Sequence, residues 1–254
     1  MKDKLYIYDG YGTLKYGSTL QWLNRHVSEI AIKRIVPKDI IDNQILQKNP
    51  PKAIIFPGGD FWCYNIHLAE KGREAIRNYV ALGGTYYGFC AGAYYASEKV
   101  DYTEPGKTAR LSQKHGQLGL FEGTAVGRVI DFNSDGNLKY LAKISYGENK
   151  NAGVFYFKGP YFRSSEEKGV DVLADFEGKT NYPAVIKTNF GKGKVVLSSV
   201  HPECGVDVLK DFGLQGNQDE IDDFSRFLLQ GIRPKLDSFG KEKMHRQEIL
   251  KPSQ

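Results

Sequence analysis

At 254 residues, 41% of them apolar and 26% charged, the chain has the composition of a globular protein with a full core, which excludes the disordered and fibrous classes. A formal charge of +5 is mild, no nucleic-acid-reading signature accompanies it, and no apolar run approaches the ~18 residues that span a bilayer, so neither nucleic acid nor a membrane is an expected partner. Three cysteines without CxxC spacing argue for reduced thiols, and the start lacks the apolar core and cleavage site of a signal peptide, so the expected location is cytoplasmic.

The pattern of elements begins with a strand over Leu5–Asp9 and a glycine-bearing turn, Asp9-Gly10-Tyr11-Gly12. A helix is predicted from a Ser18 cap, with Leu20, Leu23 and Val27 on one face. A β-branched strand over Ile30–Val36 stops at Pro37, and the apolar run Ala53–Phe56 ends in Pro57-Gly58-Gly59, as a buried parallel strand meeting a tight turn does. An amphipathic helix then carries Ile66, Ala69, Ala75, Ile76, Tyr79 and Val80, closed by Gly83-Gly84, and the strand Thr85–Phe89 delivers Cys90. Strands alternating with helices predict a parallel sheet with right-handed crossovers.

From Thr108 to about Phe176 the segments become short and β-leaning: Gly123–Phe132, Leu141–Ser145, Val154–Phe157 and Val170–Phe176. They predict an antiparallel extension of the sheet or a β-rich insertion within one domain. Pro183–Thr188 and Val195–Val200 read as late core strands, and a helix from Glu220 to about Leu229 closes the fold. One domain over 1–231 and a basic tail over 232–254, a solvated segment, are the expected organisation.

The chemistry concentrates in Gly88-Phe89-Cys90-Ala91-Gly92. A nucleophile at the tip of a sharp strand-to-helix turn sits on strained backbone, and residues two positions either side must be small because strand and helix converge there. A helix N-terminus also favours thiolate, the attacking species. His201 follows the late strand in Val200-His201-Pro202-Glu203, and active-site groups of a parallel sheet gather at the carboxyl ends of its strands. His201 is therefore the candidate base and Glu203 the carboxylate that orients it. The backbone N–H groups of Ala91 and of Gly59 or Asp60 are candidate oxyanion donors, and Asp60, Tyr94 and Tyr156 candidate substrate contacts. Tyr95 and Tyr161 are further pocket candidates, and the other histidines have no comparable setting. Cys63 and Cys204 both fall near these motifs, but without recognisable ligand spacing no metal and no cofactor is expected.

Pro57-Gly58-Gly59, then Gly88-Phe89-Cys90-Ala91-Gly92, then His201-Pro202-Glu203, in that order, resembles the class I glutamine amidotransferases. Tyr8-Asp9-Gly10-Tyr11-Gly12, the run Gly83 to Ser97, Val154-Phe155-Tyr156-Phe157-Lys158-Gly159-Pro160 and Gly191-Lys192-Gly193-Lys194 narrow the resemblance to the N-terminal domain family of biotin–protein ligases, which also occurs as stand-alone bacterial proteins. The likeness covers roughly residues 4 to 230. It implies a flavodoxin-like three-layer α/β sandwich with a mostly parallel central sheet and a β-rich antiparallel extension, and a Cys90-His201-Glu203 triad. The chain lacks the biotinyl-adenylate loop of a ligase and a phosphate-binding GxxxxGK[ST] loop, so biotin ligation is not expected. The expected function is a Cys-dependent amidase or hydrolase acting on glutamine or another small amide or peptide-like substrate. The alternative is a non-catalytic module binding a ligand or partner protein. A third reading resembles the related DJ-1-like proteins, in which a reactive cysteine serves redox or aldehyde chemistry beside an acid near the first strand, for which Asp9 is the candidate.

Overall fold

Alternation along the first strand decides the layering. In β1 (Lys4–Tyr8) Tyr6 and Tyr8 belong to one buried cluster and Leu5 and Ile7 to another, because successive strand side chains point to opposite faces. The same split recurs in β3 (Ala53–Phe56), with Ile54 and Phe56 against Ala53 and Ile55, so the sheet is buried on both sides. The computed structural model describes residues 4–27, 29–103, 110–113, 117–127, 129, 139–164, 169–179 and 181–232.

The chain runs from β1 through α1 (Tyr16–His26), β2 (Ala31–Ile35), α2 (Pro37–Ile41) and α3 (Ile45–Lys48) to β3, then through α4 (Phe61–Ala81), β4 (Thr85–Phe89) and α5 (Ala91–Ala96). β5 (Ser97–Thr103), β6 (Arg110–Gln113), β7 (Phe121–Val126), β8 (Lys139–Tyr146), β9 (Lys150–Phe157), β10 (Tyr161–Ser164) and β11 (Val170–Phe176) follow. β12 (Pro183–Phe190), β13 (Gly193–Ser198), α6 (Val206–Asp211), α7 (Gln218–Leu228) and a 3-10 turn complete it.

The central sheet has nine strands in the order β2-β1-β3-β4-β13-β12-β11-β8-β9. The pairs from β2 to β13 are parallel and those from β13 to β9 antiparallel, which is the mostly parallel sheet and antiparallel extension the sequence predicts. β10, β7, β5 and β6 make a second, four-stranded sheet, whose Val100, Phe121, Ala125 and Phe162 pack into the same cluster as α4. α1 and α7 cover the other face, tied by Trp22 Nε1 donating to Ser225 Oγ at 2.7 Å. No helix among the described residues is long and apolar enough to cross a membrane.

Two expectations along the helices are corrected. α1 starts earlier than Ser18, with Lys15 at its N-cap position, and buries Thr19, Trp22, Leu23 and His26. α4 buries Phe61, Tyr64, Leu68, Gly72, Ile76, Tyr79 and Val80, and leaves Ile66 69% exposed and Ala69 outward at a break in the helix, φ 47° and ψ −159°. The end of the strand expected over Gly123–Phe132, and the tail beyond Ile232, lie outside the described residues.

Candidate active site

β4 and β13 are parallel neighbours, with Phe89 level with Ser198. Cys90 and His201 therefore emerge at the same edge of the sheet from adjacent strands. The Cys90 N–H continues the ladder to Ser198 O at 2.8 Å, and the His201 N–H donates to Phe155 O of β9 at 2.8 Å. Both backbones are fixed by the sheet, so the side chains start from rigid positions.

Cys90 has φ 47° and ψ −100°, a region disfavoured for any residue with a Cβ. The surroundings enforce it. A Cβ on Gly92 would fall 2.2 Å from Phe56 O, and one on Gly88 would fall 2.6 Å from the Gly92 carbonyl carbon. Tyr86 closes the turn from below, its hydroxyl donating to Gly92 O at 2.8 Å. The small residues that the motif demands are thus explained by direct approach of strand to helix.

His201 is 2% exposed and Glu203 3%, and Nδ1 lies 2.7 Å from Glu203 Oε1. Burial works most strongly against an imidazolium here, but the Glu203 carboxylate, then the Cys90 thiol and the hydrogen bonds to both, outweigh it and raise His201 to about 10. Nε2 has no well-formed hydrogen bond, and the Cys90 thiol is the second side chain, after Glu203, that acts on the ring. The Cys90 thiol itself donates to Phe157 O at 3.4 Å.

Cys90 and His201 line one cavity of about 270 Å³ together with Gly58, Gly59, Asp60 and Tyr94. Of the expected oxyanion donors, Ala91 follows Cys90 directly and Gly59 lies on the cavity wall. Asp60 is not available for that task, since its N–H donates to Gly12 O at 2.9 Å. Its carboxylate caps α4 by accepting from the Trp62 N–H at 2.9 Å. Tyr94 lies in the wall with its hydroxyl donating to Lys158 O at 2.9 Å. Tyr156 does not line the cavity: Phe157 does, so its β9 neighbour faces the opposite side of the sheet, where its hydroxyl donates to Gly159 O at 2.8 Å. Tyr161 packs on Tyr182, ring centroids 4.3 Å apart.

The cavity is also lined by Lys15, Trp62 and Tyr102, which the sequence motifs leave out, and by Phe157 and Lys158, motif residues to which the sequence assigns no role. Lys15 follows the Gly12 turn, with its ammonium 5.4 Å from the Phe155 ring centroid and in reach of Cys204. Lys158 has φ 58°, which turns the chain sharply after β9. Asp9, the acid that redox chemistry at Cys90 would call on, bonds Arg34 Nε at 2.5 Å and is not on the cavity wall. Cys63 sits against the Gly12 turn, whereas Cys204 belongs to the site: His201, Glu203 and Cys204 are buried donors that could hold a metal ion.

The sequence model described as the N-terminal part of biotin-protein ligase matches residues 3–232. The chain belongs to this family. A biotin–protein ligase of Schizosaccharomyces pombe is 29% identical over 213 residues, 78% of this chain but 33% of the ligase, and an uncharacterized protein of Chlamydia muridarum is 28% identical over 212 residues, 79% of this chain and 80% of that protein. The match thus takes in a third of the ligase and most of the chlamydial protein. Among solved structures, a glutamine amidotransferase superposes with a TM-score of 0.61 at 19% identity, covering 89% of this chain and 97% of that one. PurLQS from Thermotoga maritima does so at 0.58 and 16%, covering 89% and 98%. These proteins share the class I glutamine-amidotransferase-like fold with this chain.

Proposed function

We propose that this protein is a cysteine-dependent amidohydrolase for glutamine or a similarly small amide, and not a biotin ligase. The observation that carries the reading is the shared cavity: Cys90 on its strained turn and His201, whose far nitrogen is 2.7 Å from Glu203, open into the same small space. Cys90 Sγ attacks the amide carbonyl as thiolate, its proton residing on His201. The oxygen takes up negative charge beside the Ala91 and Gly59 N–H groups. As the tetrahedral centre collapses, the C–N bond breaks and His201 passes its proton to the departing amine. Water, deprotonated by His201, then cleaves the thioester and regenerates the thiol. A raised His201 suits this sequence because the ring already carries the proton that the leaving nitrogen needs.

Intact-mass labelling with a glutamine-like chloroketone tests the reading on wild type, Cys90→Ser and His201→Ala. The expected result is one adduct, absent in Cys90→Ser and slowed at least about 100-fold in His201→Ala. Labelling no faster than that of a free thiol, and indifferent to His201, would overturn it in favour of a non-catalytic binding module.

A further inference from the structure

Behind the triad lies a second cavity of about 200 Å³, walled by Glu203, Asp207, Asp222, Arg25 and His26 among others. Its acidic side chains are Glu203, the exposed Asp207, and Asp222, which lies 3.7 Å from Arg25 and 3.3 Å from His26. It adjoins the one group of metal-capable side chains found among the described residues: a nitrogen of His201, a carboxylate oxygen of Glu203 and the Cys204 sulfur, all within 4.8 Å of one another and all buried. Glu203 Oε2 has no hydrogen-bond partner although its side chain is 0% exposed, and an unpartnered buried carboxylate oxygen is costly unless something cationic meets it.

We propose that His201, Glu203 and Cys204 form a binding site for a divalent transition metal of the zinc type, reached from the acidic cavity, and that the bound ion switches the triad off. The donor set is one thiolate, one imidazole and one carboxylate, the borderline-soft combination that zinc prefers. Tetrahedral zinc holds such donors about 3.3–3.8 Å apart, so a pair in the 4.8 Å cluster needs to close by about 1.5 Å at most. On binding, the Cys204 thiol proton and the proton on the coordinating His201 nitrogen both leave to solvent, because the ligands are a thiolate and a neutral imidazole. The ion takes the carboxylate that orients His201. The 2.7 Å contact between His201 Nδ1 and Glu203 opens, and the ring can no longer exchange protons with Cys90. The metal is an inhibitor here, not a cofactor. This inhibitory consequence depends on the amidohydrolase reading, whereas the site itself does not.

Cobalt(II) and zinc(II) titrations of the full chain test the two parts separately. Cobalt(II) should give a sulfur-to-metal charge-transfer band at one equivalent in wild type, Cys90→Ala and Cys63→Ala, and none in Cys204→Ala or Cys204→Ser. Zinc(II) should slow chloroketone labelling of Cys90 at least about tenfold in wild type and leave each Cys204 variant within about twofold of its own metal-free rate. No band in wild type, or a band that survives loss of Cys204, overturns the site. A Cys204-dependent band without any effect of zinc on labelling overturns the switch. Wild-type labelling at free-thiol speed, with the band intact, removes the amidohydrolase reading and spares the metal site. Cys204→Ser serves as the second variant if the alanine protein does not fold.

Discussion

His201 Nδ1 and Glu203 Oε1 stand 2.7 Å apart in the interior, their side chains 2% and 0% exposed. A proton held between them in the native state and released on unfolding makes stability depend on pH. His201 is raised to about 10, above its ordinary 6.5, so the stability it contributes is full below about 6.5 and is lost as pH rises through about 10. The clean window is pH 7 to 8.5. Below it His26, lowered by burial, changes stability in the opposite sense; above it Cys204 and the buried tyrosines add losses of their own. In a Cys90→Ala protein, urea midpoints should correspond to a fall of up to about 2 kcal/mol across that window, at most about 1.4 kcal/mol per pH unit for one proton. Adding Glu203→Gln should flatten the profile. A flat profile in Cys90→Ala would show that Glu203 does not hold the ring protonated.

Gly58 gives a way to move the imidazole without touching the triad. A Cβ there would lie 2.5 Å from His201 Cε1, so the ring must shift toward the cavity that it lines. Gly58→Ala should cost about 1–3 kcal/mol of stability, as modest overpacking does. It should slow chloroketone labelling of Cys90 about 100-fold, since a displaced general acid–base is as damaging as a missing one. Equal labelling of a folded Gly58→Ala protein would mean that the ring position does not matter to the sulfur.

The strands that deliver the site were legible because they are apolar on both faces and run straight into the motifs. Ala53–Phe56 and Thr85–Phe89 form with the bounds their sequences indicate, and Cys90 follows the second without an intervening residue. The helix starts were less legible. Ser18 has the right chemistry for a cap, but Thr19 bonds back to Lys15 O and the first turn begins earlier, packed by tertiary contacts and not capped by a side chain. Tyr156 lies off the cavity wall, and a tyrosine within a motif carries no mark of which sheet face it takes. The positions of Lys15 and Lys158 were not legible for a related reason. Their place on the cavity wall depends on the turn after Gly12 and on the positive φ at Lys158, neither of which periodicity encodes.

The glycine pair around Cys90 should be intolerant for a steric reason. Gly92→Ala brings a Cβ within 2.2 Å of the Phe56 carbonyl oxygen, which the sheet holds in place, so neither side can give. We expect a loss of about 3 kcal/mol or more by urea denaturation, with much of the protein insoluble. Tyr86→Phe is the milder probe of the same turn. It deletes a 2.8 Å buried hydrogen bond to Gly92 O and should cost about 1–2 kcal/mol while the fold persists. If Gly92→Ala proved as stable as wild type, the close approach of α5 to β3 would be wrong.

The charges on the cavity wall predict which amides fit. Lys15 and Lys158 line it together with Asp60, so a free amino acid amide could set its carboxylate against an ammonium and its amine against Asp60. A chloroketone with a free α-carboxylate should then label Cys90 about five- to tenfold faster than its methyl ester at low salt, and the ratio should shrink as salt is added. Lys158→Gln should erase most of the preference by slowing the carboxylate reagent alone. Lys15→Gln should act likewise, with a further effect on Cys204, which the Lys15 ammonium also reaches. Equal rates for acid and ester in wild type would assign the two lysines to structure and point to a neutral amide, such as one within a peptide, as the substrate.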